Sequence, residues 1–299
     1  MANDSLPVLV VIGGGGIGLA AALRLGRNRH VLLASRSEST ISTASAALEE
    51  AGIKFSTQQV DVSSYESVAA MARTAAGLGG DVETVILTSA ISPAMGGAER
   101  IFEVDVRGTA NVLDVFGKGG VVARGGNVVC VGSMASRMFP ALAPELERHL
   151  ALAPAAEVLE NRQLWDLAAG VGGSAYCIAK QANVLRVQAA AASEEYAGRG
   201  VRVNIVSPGM TETNMLEKEM ENDATGGIRA MIEAMPVPRA GKPEEIAEAI
   251  EFVTRCGFVN GIDILVDGGC IAAQRWGRGE GRDVQDKVDD LIGRANGGQ

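Results

Sequence analysis

Along the first half of the chain, short runs rich in β-branched residues alternate with stretches of helical periodicity. "VLVVI" (8–12) leads into "GLAAALRLGR", and "HVLLAS" (30–35) into "TASAALEEAG". "KFSTQQVDV" leads into "SYESVAAMARTAAGL", and "TVILTSA" into "AERIFEVDVRGTANVLDVFGKG". "NVVCVGS" (127–133), "VRVNIVS" (201–207) and "DILVDGG" (263–269) supply a fifth, sixth and seventh run. Runs without polar alternation must be buried on both faces, as in a parallel sheet covered by helices. The pattern predicts an α/β fold: a single Rossmann-type, doubly wound parallel sheet of about seven strands, joined by right-handed crossovers.

Two segments break that rhythm. Residues 137–173 form a long insertion between the fifth run and the stretch "YCIAK" (176–180). Its "APELERHLAL" and "AAEVLENRQLWDLAAG" read as helices with prolines at their starts. Beyond residue 270 a C-terminal extension, 271–299, carries a narrow apolar stripe of Val284, Val288 and Leu291 before a glycine-rich, fraying end. No linker or repeat marks a second domain, so residues 1–270 read as one unit holding the insertion.

Composition narrows the function. The 299 residues are 47% hydrophobic and 21% charged, with a net charge of −9. No basic run could track a phosphate backbone, which disfavours nucleic acid. No apolar run approaches the ~20 residues of a membrane span, and the opening "MANDSLPVLVVIGG" has acids where a secretory leader carries bases. Cys130, Cys177, Cys256 and Cys270 show no C-x-x-C pairing, so they read as buried free thiols in a reducing, cytoplasmic setting. The two histidines, His30 and His149, are too few and too far apart for a histidine-rich metal centre, and no metal is expected; solvated or structural roles fit them best, although His149 could serve a substrate pocket.

The candidate chemistry starts at the end of the first strand. In "VVIGGGGIGLAAAL", Gly13, Gly15 and Gly18 fall in a G-x-G-x-x-G frame, with Gly16 and Ile17 between them, opening a helix. Such glycines allow a tight turn, close approach of a pyrophosphate, and close helix–strand packing. The helix start offers free N–H groups to the phosphates. After the second strand the sequence is "LLASRSES": Ser35 and Arg36, with no acid until Glu38. An acid there would bind ribose hydroxyls, whereas an arginine suits a 2′-phosphate and can stack on adenine, so NADP(H) is expected over NAD. Asp61 is placed either to approach the adenine or to cap the next helix.

With these motifs in order, from about residue 7 to 270, the chain resembles the short-chain dehydrogenase/reductase family. The resemblance adds Asp61-Val62, Ser133 after the fifth strand, "YCIAK" as the family's Y-x-x-x-K, "NIVSPGMTET" (204–213), "PVPRAGKPEEIAEAIEF" (236–252) and "NGIDILVDGG" (260–269). It implies Tyr176 as general acid/base, Lys180 as holder of the nicotinamide ribose and tuner of the tyrosine, and Ser133 as the group orienting a carbonyl oxygen. A spacing of four puts Tyr176 and Lys180 on one helix face. The ammonium is expected to lower a phenol pKa that is ordinarily near ~10. Pro208 and Gly209 would shape the turn beside the nicotinamide, with Thr211 in the same segment and Thr213 reaching the carboxamide.

Three departures from the family pattern stand out. Ile12 replaces a threonine before the glycine loop, removing a polar brace. "TSAI" (Thr88 to Ile91) replaces N-N-A-G, putting Ser89 and Ala90 beside the adenosine ribose. Asp105 stands where the family has an asparagine supporting a proton relay, and an ionised Asp cannot donate as an amide does.

Some bacterial hydroxysteroid dehydrogenases of this family carry a helical insertion at the same place, at the edge of the substrate cleft and altering subunit contacts. Met138, Phe139, Leu142, Leu164 and Trp165 therefore either line a pocket or pack the insertion onto the domain. Residues 211–235, which include Met215, Met220, Met231 and Met235, would form a mobile wall. The resemblance implies a cytoplasmic homodimer or homotetramer that reduces a medium-to-large hydrophobic ketone, or oxidises the alcohol. Imine reduction, or isomerisation or cyclisation with NADP as a structural element, remains open on the same residues. NADP sensing without turnover also remains, although an intact Ser133–Tyr176–Lys180 set argues against it.

Overall fold

In the computed structural model, which describes residues 5–170 and 174–276, the strands are β1 (Val8–Ile12), β2 (His30–Ser35), β3 (Phe55–Gln59), β4 (Val82–Leu87), β5 (Val122–Val131), β6 (Arg202–Pro208) and β7 (Asp263–Val266). They form one seven-stranded sheet in the order β3-β2-β1-β4-β5-β6-β7. Every pairing is parallel, with Val10 of β1 set between Leu32 of β2 and Val85 of β4. The chain order reverses between β1 and β4, the crevice where a doubly wound sheet binds its ligand.

Residue alternation along β1 shows why its run is continuously apolar. Val8, Val10 and Ile12 enter one core layer with Phe102 and Phe116, while Leu9 and Val11 enter the other with Ala21 and Ile250. Helices Tyr65–Ala76, Gly108–Lys118 and Ser174–Ala192 cover the first face; Ile17–Leu25, Glu38–Glu50 and Pro243–Arg255 cover the second. The edge strands β3 and β7 are the exceptions, with no fully buried residue.

The insertion belongs to the first layer. Leu142, Leu146, Leu150, Val158 and Leu164 are buried in it, with Phe139 and Trp165 packed alongside. Pro144 starts the helix Pro144–Leu152 as expected, but the second helix begins only at Arg162. Pro154 opens a turn instead, and Arg186 Nη1 bonds the Ala153 carbonyl there at 2.5 Å. His149 Nε2 meets the Val158 carbonyl at 3.1 Å, so this histidine clamps the insertion. His30 is likewise structural, contacting Ser56 Oγ at 2.8 Å. Only Cys130 and Cys270 are fully buried; Cys177 and Cys256 are part-exposed. The stripe of Val284, Val288 and Leu291 lies outside the described residues. No helix among the described residues is long and apolar enough to cross a membrane.

Candidate active site

The glycine loop turns because its backbone goes where side chains cannot. Gly13 has φ 113° and Gly16 φ 43°. A Cβ on Gly18 would overlap the Gly13 carbonyl, so its absence lets the helix Ile17–Leu25 start against the strand end. Ile12 supplies no polar brace, but Thr88 does so from β4's end: its Oγ1 donates to the Gly13 carbonyl at 2.9 Å.

Two adjoining cavities run across the C-terminal ends of the strands and share Gly15, Thr88, Ala90 and Met215. The smaller, about 250 Å³, is bordered by Gly13, Gly16, Ser35, Arg36, Asp61, Val62 and Ser89. The larger, about 790 Å³, is bordered by Ile17, Ser133, Tyr176, Lys180, Pro208, Gly209, Thr211 and Thr213. Apart from Gly18, which acts through packing, every residue expected to hold the cofactor borders this groove. The glycine cradle and helix start at one end and the lysine at the other therefore fit a dinucleotide.

Local bonding sharpens several of these positions. Asp61 accepts from Ser63 N (2.9 Å) and Ser63 Oγ (2.6 Å), and its other oxygen lies 3.5 Å from Arg100. It does not cap the following helix; Ser64 does, accepting from Ser67 N at 3.2 Å. Burial alone would raise the Asp61 pKa, but Ser63 and Arg100 together hold it below the usual carboxylate value. Thr213 caps Asn214–Glu221 and donates its hydroxyl to the Thr211 carbonyl at 3.2 Å. Gly209 is packed against Asp267, and a Cβ there would come within 2.7 Å of the Asp267 Cα.

Ser133, Tyr176 and Lys180 converge from β5's end and the helix Ser174–Ala192. Ser133 Oγ accepts from Ala135 N at 3.1 Å, and its hydroxyl also acts on the Tyr176 phenol. Lys180 Nζ sits 5.1 Å from the Tyr176 ring centroid. On the other side it lies 2.8 Å from Asp105 Oδ2, with both side chains shut off from solvent.

Asp105 borders neither cavity but backs the lysine. It sits in a π-helical segment, Phe102–Arg107, between α-helical stretches Ala98–Ile101 and Gly108–Lys118. Such segments arise where one extra residue bulges a helix, often at functional sites. Asp105 Oδ1 accepts from Ile91 N at 2.9 Å. Its backbone carbonyl accepts from Thr109 Oγ1 at 2.7 Å, and the Asn183 amide, oriented nitrogen-inward, adds a second donor at 2.7 Å.

The charge balance departs from the sequence expectation. Burial pushes the Tyr176 phenol above its ordinary value; Lys180 pulls it down, but Asp105 adds a push upward, and the net direction is up. Lysine therefore tunes the tyrosine only against burial and a counter-charge that spacing on one helix cannot reveal. Burial would lower Lys180, but Asp105 and Tyr176 outweigh it and keep the ammonium charged. Burial raises Asp105, against the pull of Lys180 and the Ile91 N–H. Cys130, on β5, is driven to about 12 by burial and stays a thiol.

Sequence comparison agrees with this architecture. Residues 7–144 match the model described as short chain dehydrogenase, and residues 163–270 match that described as enoyl-(acyl carrier protein) reductase. The short-chain dehydrogenase/reductase bsc3 of Alternaria brassicicola is 34% identical over 271 residues, 90% of this chain and 97% of that one. The chain belongs to the short-chain dehydrogenase/reductase family. This short-chain dehydrogenase/reductase is also 32% identical over 292 residues to 2-(S)-hydroxypropyl-CoM dehydrogenase 3 of Xanthobacter autotrophicus, covering 91% of this chain and all of that one (100%). In fold it matches levodione reductase (TM-score 0.70, 21% identity, 90% of this chain and 99% of that). A Burkholderia cenocepacia short chain dehydrogenase in complex with NADP gives TM-score 0.69 at 21% identity, with the same coverage of 90% and 99%. The family makes the protein an oxidoreductase dependent on a pyridine nucleotide.

Within the insertion, Met138 alone of the five apolar side chains singled out borders the larger cavity. Leu142 and Leu164 are buried in the core, and Trp165 meets Phe102 edge-on at 5.1 Å between ring centroids. Sequence reading missed Arg100, which sits in no patterned motif, and named Thr88 only as the start of "TSAI" without its role as the brace. It also missed Glu219 on the wall of the larger cavity.

Proposed function

We propose that this oxidoreductase uses NADP(H) to reduce a medium-to-large hydrophobic ketone, or to oxidise the corresponding secondary alcohol. The observation that carries this reading is the continuous groove from the glycine loop to a cavity where Ser133, Tyr176 and Lys180 meet. Bound in that groove, the nicotinamide would supply or accept the hydride. In the reducing direction Tyr176 gives its phenolic proton to the developing alkoxide, and Ser133 donates its hydroxyl proton to hold that oxygen. Lys180 presents positive charge beside the phenol and, through Asp105, is fixed in place. Asp105 itself acts at one remove, as a positioning residue.

Preference for NADP(H) rests on Arg36, exposed at the border of the smaller cavity just past β2. A guanidinium there can pair with a 2′-phosphate, and no acid at positions 35–36 opposes it. Preference for an apolar substrate rests on Ala94, Met134, Met138, Met210, Leu216 and Met231 around the larger cavity. Methionine walls adapt to varied shapes. Self-association through β7 draws support from Phe258 and Ile262, exposed beside this edge strand.

The test is NADPH oxidation against bulky ketones and cyclic imines, with Tyr176→Phe run in parallel. Tyrosine-dependent turnover of ketones supports the reading. Tight NADPH binding with no turnover of any compound would sink it.

A further inference from the structure

The larger cavity is mostly apolar, and its few ionisable side chains are unequally occupied. Lys180 is committed to Asp105. Asp223 is saturated: Oδ1 accepts from Thr225 Oγ1 (2.9 Å) and Gly227 N (3.0 Å), and Oδ2 from Ile228 N (2.7 Å). Asn222 spends its amide on the Lys218 carbonyl at 2.7 Å. Glu219 is different. It projects from Asn214–Glu221 onto the same wall, half-buried, and no described cation pairs with it. The fully buried Ser92 hydroxyl acts on the carboxyl, although it completes no hydrogen bond of full geometry.

We propose that Glu219 is a specificity residue that selects ketones carrying a second polar group, a hydrogen-bond donor such as a hydroxyl or protonated amine. This rests on the carbonyl-reductase reading and names the substrate class for that site. A carboxylate that has lost part of its hydration regains it most readily from a donor on the bound molecule. Burial pushes the Glu219 pKa up, against Ser92, as expected for a carboxyl lacking a cation. Glu219 and Tyr176 border the same cavity, so the donor it holds belongs to the same bound molecule as the reacting oxygen. The same wall disfavours anions. No arginine borders the cavity among the described residues, and its one lysine is already paired. Carboxylates, phosphates and sulfonates would face Glu219 without compensation.

The experiment uses NADPH-loaded protein and three cyclic ketones of matched size, bearing a hydroxyl, a primary amine, or only hydrocarbon. Wild type should favour both donor ketones in kcat/KM by about ten- to hundredfold, the worth of a charge-assisted hydrogen bond. Glu219→Leu should bring the donor ketones down to the hydrocarbon one. Glu219→Gln, which keeps an acceptor without charge, should retain the hydroxyl preference and lose that for the amine. Indifference of the wild type, or a preference that survives Glu219→Leu, overturns the proposal. Calorimetric binding of the same ketones to the NADP complex of Tyr176→Phe separates this from failure of the reductase reading. If no ketone turns over yet the donor preference in binding disappears with Glu219→Leu, recognition stands and the chemistry is another; equal binding of all three overturns it.

Discussion

Lys180 Nζ lies 2.8 Å from Asp105 Oδ2 in a solvent-free pocket beneath the tyrosine. A neutral asparagine at that position would leave the ammonium's field directed wholly at the phenol. Asp105 divides it, and the phenol's ordinary pKa is raised further.

The sign of the pH effect follows. Tyr176 must be protonated to act in reduction and ionised to act in oxidation, so its raised pKa extends reduction towards alkaline pH and confines oxidation there. Removing the Asp105 charge removes an upward push. Asp105→Asn should therefore move the alkaline limb of reduction and the acid limb of oxidation to lower pH, as read from kcat/KM profiles. Asp105→Leu leaves the ammonium buried without a partner and should cost about 3–5 kcal/mol of stability in denaturant unfolding.

Tyr176→Phe removes the proton donor while preserving ring packing. Ketone reduction should fall by about 10²- to 10⁴-fold. NADPH affinity by fluorescence titration should change little, because the glycine loop and Arg36 are untouched.

Arg36→Ala should weaken NADPH by about tenfold, the loss of one charge-assisted contact at an exposed position, and leave NADH unchanged. Equal affinity of the wild type for the two cofactors would contradict the role given to this arginine.

Thr88→Val keeps shape but deletes the donor to the Gly13 carbonyl. It should cost about 1 kcal/mol. The thermal midpoint should fall by a few degrees, with a several-fold weaker NADPH complex.

These sites were unequally legible in the sequence. The strand–helix rhythm and the glycine frame are local patterns, and a periodicity or a spacing is enough to read them. Tyr176 and Lys180 were legible for the same reason, being one helical turn apart. The Asp105–Lys180 pair was not, because it joins residues 75 positions apart through a π-helical bulge that has no signature in composition. Ile12 looked like a lost brace, since the replacement arrives from β4, a strand remote in sequence. The insertion's apolar residues suggested a pocket as readily as packing. Helical spacing records that a face is buried but not what buries it, and most of that face is applied to the core.

The bulge at Phe102–Arg107 carries a further consequence. An α-helix advances about 100° per residue, so a single residue removed there would turn everything on one side of the deletion by that angle relative to the other. Asp105 and Ile101 would lose their present alignment, whatever side chains were kept. In this stretch the geometry around the lysine is set by a count of residues as much as by their identity, and substitution scanning would overlook what a one-residue deletion exposes.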